Sequence, residues 1–241
     1  ATIARAHGAT VRQQQALSRE QRQALRAIAA CRTPALGGHL DVGIHCGFER
    51  PAYHSCRNRD CPKCQSLGQA RWIDQRMARV LDVDYFHVVF TLPAALRPLA
   101  LAHRRVVFAV LMRAAAHTLL ELGRDAKRLG AALGVTAVLH TWTRTLEFHP
   151  HVHCIVIAGG PTPDGRRWHP ARRHHLVPVK VLGALFRGKV FAALQQCLAR
   201  GQLSSADPVS TRRGLGALHQ LPWVVYVKRP FGGAPHLFQY L

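Results

Sequence analysis

Residues 145–160 read TLEFHPHVHCIVIAGG. His149, His151 and His153 stand at alternate positions and run into a β-prone apolar segment. In an extended strand alternate side chains share a face and stand roughly 6.5–7 Å apart. His151 and His153 can therefore converge on one cation while Val152 points into a core. The competing reading is that these are surface or core histidines in a chain that has 16 of them, because a bare His-x-His is a weak motif. His149 continues the spacing, but Pro150 distorts a strand at that point, so its part in a site stays open.

The flanking sequence supplies a sheet. GVTAVLHTWTRTL (134–146) alternates and predicts a strand joined to the histidine strand by a tight turn near Glu147. YFHVVFTLP (85–93) is a β-branched and aromatic run closed by Pro93, which predicts a central strand. His87 on it is expected to be a satisfied sheet histidine rather than a ligand. Leu101, Phe108, Leu111, Ala115, Leu119 and Leu122 recur at helical spacing and predict one helix over 97–122, ending before Gly123. Residues 159–168 read as a loop, and a further helix is predicted from Val179 to Arg200. Arg187 and Lys189 on that helix either line a DNA channel or form a wet helix face. Cys154 and Cys197 read as small buried hydrophobes. LPWVVYVKRPFGG (221–233) predicts a strand with a Gly232-Gly233 break, and APHLFQYL reads as the first turns of a helix bearing Tyr240.

The N-terminal third has a different character. Ser18 and Gln21 stand at capping-box spacing ahead of a helix over 18–31. Beyond it, CRTPALGGHLDVGIHCGFERPAYHSCRNRDCPKCQ interrupts regular structure with Gly and Pro and carries the cysteines. Cys61 and Cys64 form a C-x2-C knuckle, Cys56 lies just before it, and Cys46 precedes a glycine. Thiolates so spaced bind zinc tetrahedrally and replace the apolar core that so short a module cannot build. Ser66 is expected to cap the next helix, with Trp72 packing on it.

The formal charge is +21 and the pI near 11.3, and only five of the 33 basic residues are Lys. An arginine-dominated excess suits phosphate contacts and makes nucleic acid the leading partner. Arg57 and Arg59, interleaved with the cysteines, are candidate phosphate contacts or solvated loop charges. The longest apolar run, VVFAVLMRAAAHTLLEL, is broken by Arg113 and His117, and no secretory signal is visible. Seven cysteines in such a chain read as metal ligands and free thiols of a reducing compartment, which makes the cytoplasm the expected location.

Several stretches together resemble a known family. CRT, LGGH, SCRNR and CPKCQ, followed by YFHVVFTLP, LGVTAVLHTW, HPHVHCIVIAGG and VVYVKRPFGG, are similar to two-tyrosine rolling-circle insertion-sequence transposases. These are HUH endonucleases with an N-terminal transposase zinc-binding domain. The resemblance implies an α+β fold, with a small zinc-binding module followed by an antiparallel-sheet HUH domain backed by helices. It places the module at 1–68, a linking helix at 69–84 and the catalytic domain at 85–241. It implies that Cys46, Cys56, Cys61 and Cys64 hold structural zinc, and that His151 and His153 hold a catalytic Mg or Mn ion. A third ligand would come from His149 or Gln239. Tyr240 matches the first of two nucleophilic tyrosines, the second falling at position 244, so the chain reads as a fragment. The implied activity is nicking and strand transfer of single-stranded DNA through a 5′-phosphotyrosine, in a bacterial cytoplasm on the nucleoid. One departure is Gly43, where the family has a cysteine; Cys31, His39, His45 or His54 would then complete the zinc ligands. Two alternatives remain open: a non-catalytic DNA-binding relic, and a metal-dependent hydrolase whose nearest carboxylate in sequence is Glu147.

Overall fold

The computed structural model describes residues 1–143, 145, 147–171, 176–203, 216, 223–228, 236 and 238. The chain divides into two compact units, Ala1–Arg79 and Val80–Leu241.

The first unit opens with α1 (Thr2–Gln14), a helix that the sequence reading did not anticipate, and α2 (Arg19–Ala30). Ser18 caps α2 as its spacing predicts: its hydroxyl accepts from the Gln21 N–H at 3.2 Å, and the Gln21 side chain accepts from the Ser18 N–H at 2.8 Å. Where Gly and Pro were expected to forbid regular structure, β1 (Gly38–Val42) and β2 (Glu49–Tyr53) form an antiparallel hairpin. Pro51 fits because a two-stranded ribbon consists of edges, where a missing N–H is tolerated. Helix α3 (Pro62–Met77) starts earlier than the expected Ser66 cap, with Cys61 as its N-cap and Pro62 in its first turn. Trp72 is half-buried beneath the Arg76 guanidinium, 5.7 Å from the ring centroid.

No aliphatic or aromatic side chain of this unit is buried. Its fully enclosed side chains are Cys31 and Cys61. The thiols of Cys31, Cys56, Cys61 and Cys64 come together, each sulfur within 4.8 Å of the others. The chain around them is tied by backbone bonds: Arg32 N–H to the His54 carbonyl at 3.1 Å, and Cys64 N–H to the Cys61 carbonyl at 3.1 Å.

The second unit is a four-stranded antiparallel sheet in the order β4-β5-β3-β8. Its strands are β3 (Tyr85–Thr91), β4 (Val135–Trp142), β5 (Phe148–Ile157) and β8 (Val225–Lys228). The expected single helix is two, α4 (Arg97–Ala102) and α5 (Arg104–Arg124), because His103 leaves the helical region at φ −126°, ψ 49°. Helix α5 runs through Gly123 rather than stopping before it. A Cβ there would meet Leu133 Cγ at 2.7 Å, so this glycine serves a close approach and not a stop. By length and composition α5 could cross a membrane, but half of its apolar window is buried inside the protein, as in a core helix. Residues read as a loop contain a second hairpin, β6 (Gly159–Pro161) with β7 (Trp168–Pro170). Helix α6 (Val179–Ala199) matches its predicted span.

One face of the sheet is the core. Phe86, Val88 and Phe90 of β3 and Val152, Cys154 and Val156 of β5 are buried in one cluster with Val107, Leu111 and Leu119 of α5 and Leu182, Phe186 and Val190 of α6. Phe90 and Phe186 meet at 4.7 Å between ring centroids. The helices therefore cover one face, and the alternate residues of β5 project from the other.

Because the first unit has no apolar core, its fold should depend on metal at the four thiols. We expect Cys31→Ser to lose about one equivalent of tightly held zinc per chain and to expose residues 1–79 to limited proteolysis, while Cys46→Ser keeps both properties. Equal zinc loss in the two variants, measured by elemental analysis, would contradict this assignment.

Candidate metal centres and active site

The cysteine cluster has the make-up of a structural zinc site. Cys64 Sγ lies 3.6 Å from the sulfurs of both Cys31 and Cys56, close to the ~3.7 Å edge of a tetrahedron with zinc–sulfur bonds of about 2.3 Å. Burial pushes the Cys56 thiol up to about 12, with the Asn58 N–H opposing. Burial also raises Cys64, but hydrogen bonds from Cys56, Cys31 and Cys61 and the Arg57 N–H bring it down to about 7. Arg57 reaches that position through a left-handed backbone, φ 50°. Neutral thiols crowded in this way are poorly solvated, and a divalent cation that holds them as thiolates relieves the crowding.

Cys46 was the expected fourth ligand and Cys31 the reserve; the structure brings Cys31, and not Cys46, beside the other three thiols. Cys46 is exposed in the turn of the β1–β2 hairpin, which is closed by Gly43 N–H to the Phe48 carbonyl at 2.9 Å and Gly47 N–H to the Gly43 carbonyl at 2.8 Å. A Cβ on residue 43 would lie 2.8 Å from the Cys46 sulfur, so Gly43 leaves Cys46 without the neighbouring thiol of a knuckle. His39 is an exposed partner of Asp41 at 3.4 Å, and exposed His45 also lies outside the four-thiol group. Arg57 is exposed, and Arg59 is nearly fully so.

On the sheet face opposite the core helices, ring nitrogens of His140, His151 and His153 all lie within 4.8 Å of one another, with His153 buried and the other two half-buried. Their centroids are separated by 4.4 Å (His140–His153), 4.9 Å (His151–His153) and 5.5 Å (His140–His151). His151 and His153 share a face of β5, as alternation requires. His140 was not anticipated. It arrives because β4 pairs with β5 so that His140 stands opposite His151 and Val138 opposite His153.

The register then slips: Trp142 pairs with Phe148, so His149 and Pro150 on β5 oppose Thr141 alone. The bulge accommodates Pro150, which has no N–H to give, while its carbonyl accepts from Leu92 N–H at 3.0 Å. It also sets the surroundings of His149. That ring lines the same cavity, but Arg97 Nη2 donates to its Nδ1 at 2.6 Å, and burial followed by the Arg97 charge lowers its pKa. His149 is thus outside the three-imidazole group and acts through its backbone, its carbonyl accepting from His151 Nδ1 at 2.6 Å. That bond leaves His151 Nε2 for a cation.

His87 is a partner and not a member of the group. Its Nε2 lies 2.7 Å from His153 Nδ1, with the rings nearly parallel at 12°. Burial, with the neighbouring His140, His87 and His151 adding to it, depresses His153 to about 3, so its imidazole is neutral across the physiological range. Three imidazoles, two with a defined partner on the far nitrogen, suit a borderline divalent cation. The cavity holds about 380 Å³ and is lined by Val89, Thr91, Trp142 and Thr143 besides the histidines; no carboxylate lines it among the described residues.

The remaining expected site residues fall elsewhere. Lys189 Nζ pairs with Glu121 at 2.5 Å across α5 and α6, and Arg187 belongs to the same helix on the core side of the sheet, so neither comes to the histidine face. Tyr240, Gln239 and the Gly232-Gly233 break lie outside the described residues.

Comparison with known proteins adds the family. Residues 3–92 match the family described as "Transposase zinc-binding domain", and residues 134–241 match the one described as "Putative transposase". The whole chain aligns at 41% identity with the "Putative transposase y4qJ" of Sinorhizobium fredii, spanning 63% of that protein. Over 56% of the chain it is 39% identical to the transposase for insertion sequence element IS801 of Pseudomonas savastanoi pv. phaseolicola, covering 33% of it. Among solved structures, the metal-bound complex of the conjugative relaxase TrwC with oriT DNA overlaps 47% of this chain and 43% of its own, with 19% identity and a TM-score of 0.38. The copper-bound form overlaps 64% and 67%, with 15% identity and a TM-score of 0.37. One transposase module is matched at each end and a putative transposase aligns from first residue to last, so the chain is similar along its length to IS91/IS801-type transposases, of which it spans less than two thirds.

Proposed function

We propose that this chain nicks single-stranded DNA on the histidine face of its sheet, with a divalent cation held by His140, His151 and His153 and with Tyr240 as nucleophile. The observation that carries this reading is the convergence of three imidazoles on the sheet face opposite the core helices, in a transposase-like chain with a +21 charge. The cation supplies Lewis-acid polarisation of the scissile phosphate. Among the candidate ions we favour Mn over Mg, because an all-nitrogen ligand set suits manganese better than a hard oxygen-seeking ion. The structural ion of the first unit is zinc.

The chain's own groups do the rest. His87 and the His149 carbonyl hold the His153 and His151 rings by their far nitrogens, so the coordinating nitrogens are aimed before any ligand arrives. The tyrosine hydroxyl gives up its proton and its oxygen attacks phosphorus; the bond to the 3′ oxygen breaks and that oxygen takes a proton. A 5′-phosphotyrosine and a free 3′-hydroxyl result, and the covalent link conserves the energy for rejoining. The arginine excess supplies affinity for the strand in the cytoplasm, where DNA is at hand.

The four tyrosines can be told apart. Tyr85 is buried, with its hydroxyl accepting from Leu81 N–H at 2.8 Å, and Tyr53 sits in the first unit. Tyr226, opposite Val89 on the histidine face and half-exposed, is the competitor to Tyr240. The cavity's lack of a carboxylate base among the described residues favours a tyrosine nucleophile over an unrelated hydrolase.

With labelled single-stranded oligonucleotides and Mn, we expect a covalent adduct that survives denaturing gels. Tyr240→Phe should abolish it with DNA binding changed less than about twofold, while Tyr226→Phe should retain it. Adduct loss in Tyr226→Phe alone would move the nucleophile to β8, and binding without any adduct would make this a DNA-binding relic. His140→Ala should cut adduct yield by about 10- to 100-fold, recovered in part at high Mn, since one lost ligand weakens the cation rather than removing the nucleophile. Unchanged Mn dependence in that variant would remove His140 from the site.

A further inference from the structure

Beyond the histidines and the tyrosine, one side chain on this face has a place that the fold goes to some length to secure. Trp142 is 54% exposed at the edge of the sheet and lines the same 380 Å³ cavity as His140, His151 and His153. Its position is set from below and from behind. The bulge at His149–Pro150 puts it opposite Phe148, whose ring meets the indole edge-on at 5.6 Å and 72°, and Phe148 rests on Phe108 of α5 at 6.4 Å. The turn that follows is closed by Thr143 N–H to the Glu147 carbonyl at 3.0 Å and Glu147 N–H to Thr143 Oγ1 at 3.1 Å. The indole is fixed by this T-shaped contact, about half of its surface is exposed, and it contributes to the cavity wall.

We infer that Trp142 is the stacking platform for one nucleobase of the single strand seated over the histidines, a role that rests on the reading of this face as the DNA site. Nucleobases and indole share flat π-faces, and stacking of this kind is tolerant of sequence. Trp142 and the three histidines line one cavity, so a base stacked on the indole and a phosphate addressed by the histidines would belong to the same short stretch of strand. The net charge selects an anionic occupant, and the three imidazoles select one that brings a phosphate. Trp142 is therefore a positioning residue: it fixes which phosphate lies over the histidines by gripping the neighbouring base.

The test compares two ligands of equal length, a short oligothymidylate and the same sugar-phosphate chain with every base removed, bound to the full 241-residue chain with Mn and followed by fluorescence anisotropy. Trp142→Leu keeps apolar bulk and removes the aromatic face; Trp142→Phe keeps a smaller face. We expect Trp142→Leu to weaken oligothymidylate by about 5- to 150-fold, to change binding of the abasic chain less than twofold, and to leave Mn loading unaltered. Trp142→Phe should fall between wild type and Trp142→Leu. Equal weakening for both ligands, no weakening for either, or loss of Mn in the Phe variant would overturn the stacking role while leaving the DNA site in place. If wild type binds neither ligand, the reading of the face as a DNA site falls as well, so the two failures are distinguishable.

Discussion

The second unit depends on the alternation of one strand. On β5, Val152, Cys154 and Val156 are fully buried against the helices, and His151 and His153 project from the opposite face. A slip of one residue would expose three buried side chains, at about 1.5–3 kcal/mol for a valine, and would put two imidazoles into an apolar interior that cannot hydrate them. β5 is also hydrogen-bonded along both edges, to β3 and β4. The apolar core thus holds the geometry of a polar site that it never touches, and the candidate ligands sit on rigid backbone rather than on loops.

Around that strand the neighbouring elements each add one feature. β4 brings His140 opposite His151, β3 brings His87 behind His153, and α4 brings Arg97 to His149. The Pro150 bulge separates two outcomes for residues that look alike in the sequence. His151 and His153 bring ring nitrogens into the three-imidazole group, whereas His149 spends its Nδ1 on a guanidinium and lends its carbonyl to His151. A proline that looked like a flaw in the histidine strand instead separates His149 from the other two and brings Trp142 opposite Phe148 at the wall of the same cavity.

The first unit reverses this logic. It has side chains but no apolar interior, and its enclosed groups are sulfur. Four thiols within one another's reach gain little as thiols, since sulfur is a weak donor and acceptor, and become a folding nucleus when a cation holds them as thiolates. The cluster joins the end of α2, the loop after β2 and the first turn of α3, so three chain segments meet at one point without a packed core.

Much of this was legible in the sequence, because it depends on residue type and local spacing. Alternation placed His151 and His153 on one face, the capping box at Ser18 and Gln21 started α2, and Cys56, Cys61 and Cys64 announced a thiolate cluster. The family resemblance, carried by short motifs, also held along the chain. What the tertiary structure alone decided was which distant residue completes each group. Cys31, and not Cys46, lies with the other three thiols because the end of α2, and not the hairpin tip, folds onto the knuckle, and the spacing of cysteines carries no information about that docking. His140 joins the histidines because a bulge and a strand register bring it across from His151. A lone histidine in LHTW says nothing of its cross-strand neighbour until the pairing is known. Local sequence dictates where a side chain points; long-range pairing dictates what it meets there.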